Sequence, residues 1–267
     1  MAGFPLVKLS CECFARPPVT QSRSSLAIVL RWRPYGESDK IVTFLTQDFG
    51  KLTGIGKGAQ RSRRRFANSL EPLARVRMYF RLRPGASLAF LESSELVRPP
   101  AGLTDPKRFA YASYLTELVD QLTVEEHPVA DLYALLDEAL SVLAEAPPTG
   151  GLLRGFEMQL LARTGYDPQL DRCVECRRYL AENEPAYLNA THGTFSCPTC
   201  NQSGRPLVLV ASGLLAQLQT LKSLSLLDCR ALHLGALAAD AARLTGQLLA
   251  LHLSRPLRSL KLIEQLG

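Results

Sequence analysis

The sequence predicts a multidomain α+β protein, a small β-barrel followed by a helical domain. Two changes along the chain predict it. Up to residue 98, apolar side chains alternate with polar ones; after Pro99-Pro100 they recur at helical spacing. Residues 1–98 carry 17 Lys+Arg against 7 Asp+Glu, whereas residues 99–267 carry 14 against 18. A third feature, two Cys-x-x-Cys pairs, marks a module inserted in the helical part.

Residues 1–24 hold Cys11, Cys13, Pro17 and Pro18 without any period and read as a loose extension. From Ser25 the chain becomes strand-like, with Leu26, Ile28, Leu30 and Trp32 on one face, which assigns Trp32 to a core. Pro34-Tyr35-Gly36 is a turn, Lys40–Thr46 a second strand, and Asp48-Phe49-Gly50 a tight turn into a third, Lys51–Ile55. Residues 73–83 form the fourth, and Pro84-Gly85 leads to a fifth, Ser87–Val97. Five short strands over residues 25–98 predict a small closed barrel of the OB type. Gln60–Leu70 is read as one short helix or a basic loop.

The fourth strand carries the strongest functional signal. Alternation puts Ala74, Val76, Met78, Phe80 and Leu82 on a dry side and Arg75, Arg77, Tyr79, Arg81 and Arg83 on a wet one. Cations about 6.5–7 Å apart around a ring suit a polyanion with stackable bases. A merely solvated strand face is the plain alternative. The basic first third shifts the balance toward nucleic acid. The candidate DNA-binding residues are Arg31, Arg33, Lys51, Lys57, Arg61, Arg63, Arg64, Arg65, Arg75, Arg77, Tyr79, Arg81 and Arg83.

After Pro100, Asp105-Pro106 marks a helix start, followed by Tyr111, Leu115, Leu118 and Leu122 on one stripe. Further helices are expected over about Val129–Glu145, Leu152–Thr164, Gly213–Ser223 and Ala236–His252. The helical domain therefore covers 99–172 and 201–267 and is all-helical apart from the module at 173–200.

In that module Cys173-x-x-Cys176 and Cys197-x-x-Cys200 are separated by 20 residues. Such knuckles are a strong signal for a tetrahedral Zn2+ site, and four thiolates leave no position open for water, so the zinc is structural. His192 is read as a surface histidine and Cys229 as a buried apolar residue.

Enzyme chemistry finds no support. Gly54-Ile-Gly-Lys-Gly-Ala59 fits a loose dinucleotide pattern, yet Gln60-Arg-Ser-Arg-Arg-Arg65 follows instead of an apolar helix, and Lys57 precedes glycine rather than Ser or Thr. A glycine-rich basic loop suits phosphates held by backbone N–H groups. No long apolar run indicates a membrane span and no secretory leader is apparent, so a cytoplasmic protein is expected, with seven cysteines as thiols or metal ligands.

Several segments occur together in an order that carries a resemblance: Ala27–Lys40 with Arg33-Pro-Tyr-Gly-Glu-Ser-Asp39, Thr46–Leu52, Gly56-Lys-Gly-Ala-Gln-Arg61, Phe156-Glu157, Leu160–Pro168, the cysteine pairs and Arg255-Pro-Leu-Arg-Ser259. Over residues 25–265 the chain resembles the bacterial RecO family, recombination mediators of DNA repair. The resemblance implies binding of single- and double-stranded DNA, annealing of complementary strands, and action with RecR to load RecA onto strands coated by single-strand binding protein. It also implies a site near the nucleoid. Arg255, Arg258 and Lys261 are candidates for an acidic partner tail such as that of single-strand binding protein, with capping of the last helix as the other reading. A zinc-ribbon factor of transcription or translation is the alternative function.

Overall fold

The computed structural model describes residues 21–83, 85, 87–201 and 207–266. Cys11, Cys13 and Pro84 lie outside them.

Five strands, β1 (Ser22–Tyr35), β2 (Asp39–Thr46), β3 (Gly50–Gly56), β4 (Arg75–Arg81) and β5 (Ala89–Arg98), close into a barrel in the order β1-β2-β3-β5-β4. All pairings are antiparallel except β3 with β5, which meet in parallel over Gly54–Gly56. The first strand starts at Ser22, so the end of the expected loose extension is ladder, pairing with Arg81–Tyr79. Val29, Val42, Phe44, Leu52, Val76, Met78, Phe80 and Leu91 fill the barrel. The segment 57–74 is neither a full helix nor a bare loop. A single 3-10 turn (Ala59–Arg61) begins it, and Phe66 and Leu70 insert into the barrel core.

A bulge in β1 between Val29 and Arg31 changes which residues share a face. Before it, Ala27 and Val29 point into the barrel while Ile28 and Leu30 pack in the other core. After it, Trp32 pairs with Val42 and packs against the barrel core. Strict alternation had grouped Trp32 with Ile28 and Leu30; the extra residue moves it across.

The helical body contains α1 (Pro106–Leu122), α2 (Leu132–Glu145), α3 (Gly150–Arg163), α4 (Leu214–Ser223), α5 (Leu226–Ala231), α6 (Ala238–Ala250) and α7 (Arg258–Leu266). As expected, the Asp105 carboxylate accepts from the Arg108 N–H at the start of α1. Thr149 caps α3 in the same way. Helix α3 is buried along its whole length from Gly151 to Leu161, the mark of a central helix. It carries a buried ion pair, Arg154 with Glu157 at 2.5 Å, and the Tyr114 hydroxyl donates to the same carboxylate at 2.7 Å. Helices α5 and α7 had no counterpart in the expected elements. Within the cysteine module β6 (Ala186–Asn189) and β7 (Thr194–Ser196) form a hairpin, and outside it one strand, β8 (Val208–Val210), departs from the all-helical expectation by pairing with β6 in a sheet of order β7-β6-β8.

One transverse row of the barrel fixes it to the helices. Arg75, Ile28, Leu45 and Lys51 are register partners across β4-β1-β2-β3. Ile28 and Leu45 join the helical core. At one end the Arg75 guanidinium lies 2.5 Å from the Asp137 carboxylate and donates to the Asp137 carbonyl and Ser141 Oγ on α2. At the other, Lys51 Nζ donates to the Asp120 carbonyl on α1 and lies 3.5 Å from its carboxylate. The segment after α1 runs beside β3: Lys51 bridges Glu125 in parallel, and the Glu126 N–H donates to the Lys51 carbonyl. Glu125-Glu126-His127 thus covers a strand edge. Gly50 permits this approach, since a Cβ there would lie 2.4 Å from the His127 carbonyl oxygen.

Candidate nucleic-acid interface and metal centre

The expected row of four guanidinium groups on β4 is shortened by the packing just described. Arg75 is 5% exposed and belongs to the clamp with α2, and Lys51 is 7% exposed and belongs to the clamp with α1. Both cations were expected to face solvent; alternation put Arg75 on the outer side of β4 correctly, but the helical body covers that stretch. Burial also pulls the Lys51 ammonium below its usual pKa, against the opposing pull of Asp120.

What remains open on β4 is Arg77, Tyr79 and Arg81, with Arg83 just beyond the strand. Carboxylates of β5 lie opposite. Arg81 pairs with Glu92, which also accepts from Ser22, and the Tyr79 hydroxyl donates to Glu95 at 3.3 Å. Hydrogen bonds from Ser22 and Arg81 hold the Glu92 carboxyl below the usual range. Arg77 and Arg83 have no ion-pair partner among the described residues.

A second basic surface lies at the glycine-rich loop. Gly58 sits in the left-handed region at φ 67°, and Asp39 ties the loop down. One carboxylate oxygen accepts from Lys57 Nζ at 2.7 Å and the other from the Gly58 N–H at 2.8 Å. Arg65 donates to the Lys57 carbonyl, folding the basic run back over the glycines. Arg61, Arg63, Arg64 and Arg65 are all exposed. Nearby, Lys40 Nζ stands 3.9 Å over the Trp32 ring, whose Nε1 donates to Glu71. Trp32 is therefore covered, while Tyr35 is exposed. Arg33 is exposed at the end of β1, and Arg31 pairs with Asp120 at 2.7 Å.

Asp39, Glu71, Asp120 and Asp137 organise these cations, and sequence reasoning did not find them. Each lies far along the chain from at least one cation it holds, so no local spacing reveals it. Glu92 and Glu95 were within reach of a cross-strand argument, because β5 follows β4 through a short turn.

The four cysteines converge. The sulfur atoms of Cys173, Cys176, Cys197 and Cys200 lie within 4.8 Å of one another, with Cys173 and Cys197 buried. The β6-β7 hairpin brings the second knuckle to the first, and the Cys197 N–H donates to the Cys173 sulfur. Burial raises the Cys197 thiol, but hydrogen bonds led by that from Arg178 outweigh it and bring it to about 6. Hydrogen bonding with Cys176 and Cys197 pushes Cys200 up to about 12. Arg178 is itself held by Glu184 at 2.5 Å. Four convergent sulfurs with a cation behind one of them fit a thiophilic metal ion. His192 is exposed and is not part of the cluster. Cys229 is fully buried on α5 against Gly155 of α3, and burial pushes its thiol up to about 11, which keeps it protonated at neutral pH.

The expected partner residues separate. Lys261 lines an apolar groove of about 730 Å³ between α1, α3, α6 and α7, whose wall includes Tyr114, Arg154 and Leu260. Arg255 and Arg258 line a different cleft, against the barrel. The last expected helix corresponds to α6; beyond its end Arg255 pairs with Asp120 at 3.5 Å, and Arg258 opens a further helix, α7.

Two family models match this arrangement end to end. One described as "Recombination protein O N terminal" covers residues 22–100, and one described as "Recombination protein O C terminal" covers residues 103–261. The chain belongs to the RecO family. The protein named DNA repair protein RecO from Syntrophus aciditrophicus (strain SB) is 35% identical over 247 residues, covering 89% of this chain and 93% of that one. RecO of Myxococcus xanthus (strain DK1622) is 36% identical over 244 residues, covering 90% and 96%. RecO of Anaeromyxobacter dehalogenans (strain 2CP-C) is 36% identical over 243 residues, covering 90% and 95%. The RecO match spans both the barrel and the helical body.

Proposed function

We propose that this chain is a DNA repair and recombination mediator that binds single- and double-stranded DNA, anneals complementary strands and helps load RecA onto strands coated by single-strand binding protein. The observation that carries the reading is a closed barrel with exposed cations on two surfaces, in a chain of the RecO family. Its strand order, with β3 and β5 in parallel, supports an OB-type barrel, a fold suited to single strands. In this reading residues 25–98 are the DNA-binding unit, 99–172 and 201–267 the helical domain, 173–200 the zinc module and 1–24 an extension.

Phosphate contacts come from Arg31, Arg33, Lys57, Arg61, Arg63, Arg64, Arg65, Arg77, Arg81 and Arg83. Tyr79 and Tyr35 offer stacking at roughly 1–3 kcal/mol per base. Cations that screen two backbones at once lower the repulsion between strands, which gives annealing a route without ATP. Cys173, Cys176, Cys197 and Cys200 hold a structural Zn2+, whose role is to fold the knuckles. RecR and the acidic tail of single-strand binding protein are the protein partners, with the tail in the groove beside Lys261, and RecA is engaged indirectly. The expected setting is the cytoplasm at the nucleoid; no described helix is long and apolar enough to cross a membrane.

The test is fluorescence anisotropy of a labelled single strand across a salt series, with wild type and two variants, Arg77→Ala/Arg81→Ala/Arg83→Ala and Arg61→Ala/Arg63→Ala/Arg64→Ala. Wild-type affinity should fall with salt at a log–log slope of about −0.7 per phosphate contacted. At least one variant should bind more weakly with a shallower slope and unchanged circular dichroism. A flat wild-type profile would end this reading.

A further inference from the structure

Where the barrel meets the helical body, a cleft of about 400 Å³ opens, with Arg31 and Leu73 on the barrel side and Phe109, Asp120, Arg255 and Arg258 on the helical side. Its cations outnumber its acids. Asp120 alone faces Arg31 at 2.7 Å, Lys51 at 3.5 Å and Arg255 at 3.5 Å. The other carboxylate on the wall, Glu117, is committed to the start of α7: it accepts from the N–H of Arg258 at 3.0 Å, the N–H of Ser259 at 2.9 Å and Ser259 Oγ at 2.7 Å. Three cations of the wall, Arg31, Arg255 and Arg258, therefore stand against two carboxylates that are both already engaged, one of them also by the buried Lys51. The Arg31 and Arg255 side chains are about half exposed, at 47% and 51%. Arg258 is exposed and its guanidinium has no ion-pair partner among the described residues. The Phe109 ring is also exposed.

We propose that this cleft is a phosphate subsite for a nucleic-acid strand, which leads the strand from the barrel onto the helical body. The inference rests on the DNA-binding reading above and extends it to residues outside the barrel. Continuity favours a nucleic acid over an acidic peptide. Arg31 and Arg33 stand two residues apart on one face of β1 beyond the bulge, so the barrel's own cations run into the cleft. Planar guanidinium forks suit phosphate oxygens, and an exposed ring beside them suits a base. The Lys261 groove lacks that continuity. The subsite thus reassigns Arg255 and Arg258 from the partner tail to the strand.

The experiment uses the full chain and labelled oligothymidylates of about 10 and about 35 nucleotides, since one OB barrel covers roughly 4–16 nucleotides. For Arg255→Ala/Arg258→Ala, binding of the short strand should match wild type. The long strand should bind severalfold more weakly, with a salt slope shallower by about 0.7 per lost phosphate contact. Arg258→Ala alone, which removes no ion pair of the described residues, repeats the measurement if the double variant loses its fold. A variant that binds both strands like a salt-sensitive wild type overturns the subsite while leaving the barrel reading intact. Loss of binding to an acidic-tail peptide with unchanged long-strand binding also overturns it and makes the cleft a protein site. A wild type indifferent to salt removes both readings.

Discussion

Asp39 shows how one carboxylate shapes a basic loop. Its two oxygens hold Lys57 Nζ and the Gly58 N–H, as two oxygens of a phosphate would. Those bonds, the one from Lys57 foremost, hold the Asp39 carboxyl below the usual carboxylate value of 3.8. A depressed folded pKa means that the tie is present above the unfolded value and is lost as pH falls through the folded one. The loop should therefore stay tied throughout the neutral range. An NMR titration should give Asp39 a midpoint below 3.8, with the Gly58 amide moving in step; a midpoint at or above 3.8 would show that the carboxylate is not engaged. At this scale the sequence identified the cations and their strand faces but not their partners. Arg75 obeys the alternation that assigned it, and only the arrival of α2 and α1 buries Arg75 and Lys51. Leu73 was illegible for a different reason: it sits buried at φ 69°, a left-handed geometry that a leucine rarely adopts and that no local pattern announces.

Among the elements, those with a long clear period were legible. The five expected helices and the five strands appear within a few residues of their expected bounds. Helix α5, only six residues long, is too short for a period to show; Ser225 caps it by accepting from the Asp228 N–H. Two glycines of α3 make room for it. A Cβ on Gly151 would lie 2.1 Å from the Cys229 carbonyl oxygen, and one on Gly155 would lie 2.5 Å from the Cys229 sulfur. The two obstacles differ in kind, backbone against side chain, and so should the two alanine variants. Gly151→Ala and Gly155→Ala should each lose about 1–3 kcal/mol, as over-packed cores do. Adding Cys229→Ala should recover part of the loss for Gly155→Ala and none for Gly151→Ala. Chemical denaturation of the four variants measures this, and equal recovery at both sites would mean that α5 moves as a unit instead.

At the scale of the whole molecule, the barrel and helical body are joined by a row that is apolar in the middle and ionic at both ends. Ile28 and Leu45 supply burial, while Arg75–Asp137 and Lys51–Asp120 fix the angle at which the two halves meet. That angle sets where Arg31 stands relative to Arg255 and Arg258, so the clamp positions the cleft as well as the halves. Burying Lys51 costs solvation that Asp120, with a smaller pull from Glu125, offsets only in part, as its lowered pKa reflects. Removing the Asp120 charge should then be far more harmful than removing the pair. Asp120→Asn leaves Lys51 buried without a carboxylate and should destabilise the protein by about 3–5 kcal/mol. Asp120→Leu/Lys51→Met replaces both members by apolar groups and should recover most of that loss. In the recovered variant, long-strand binding should remain close to wild type, because Arg31, Arg255 and Arg258 are retained and no longer share a carboxylate. A double variant as unstable as Asp120→Asn would instead place the main cost on Arg31 and Arg255, and the clamp would then be a network of all four charges rather than a pair.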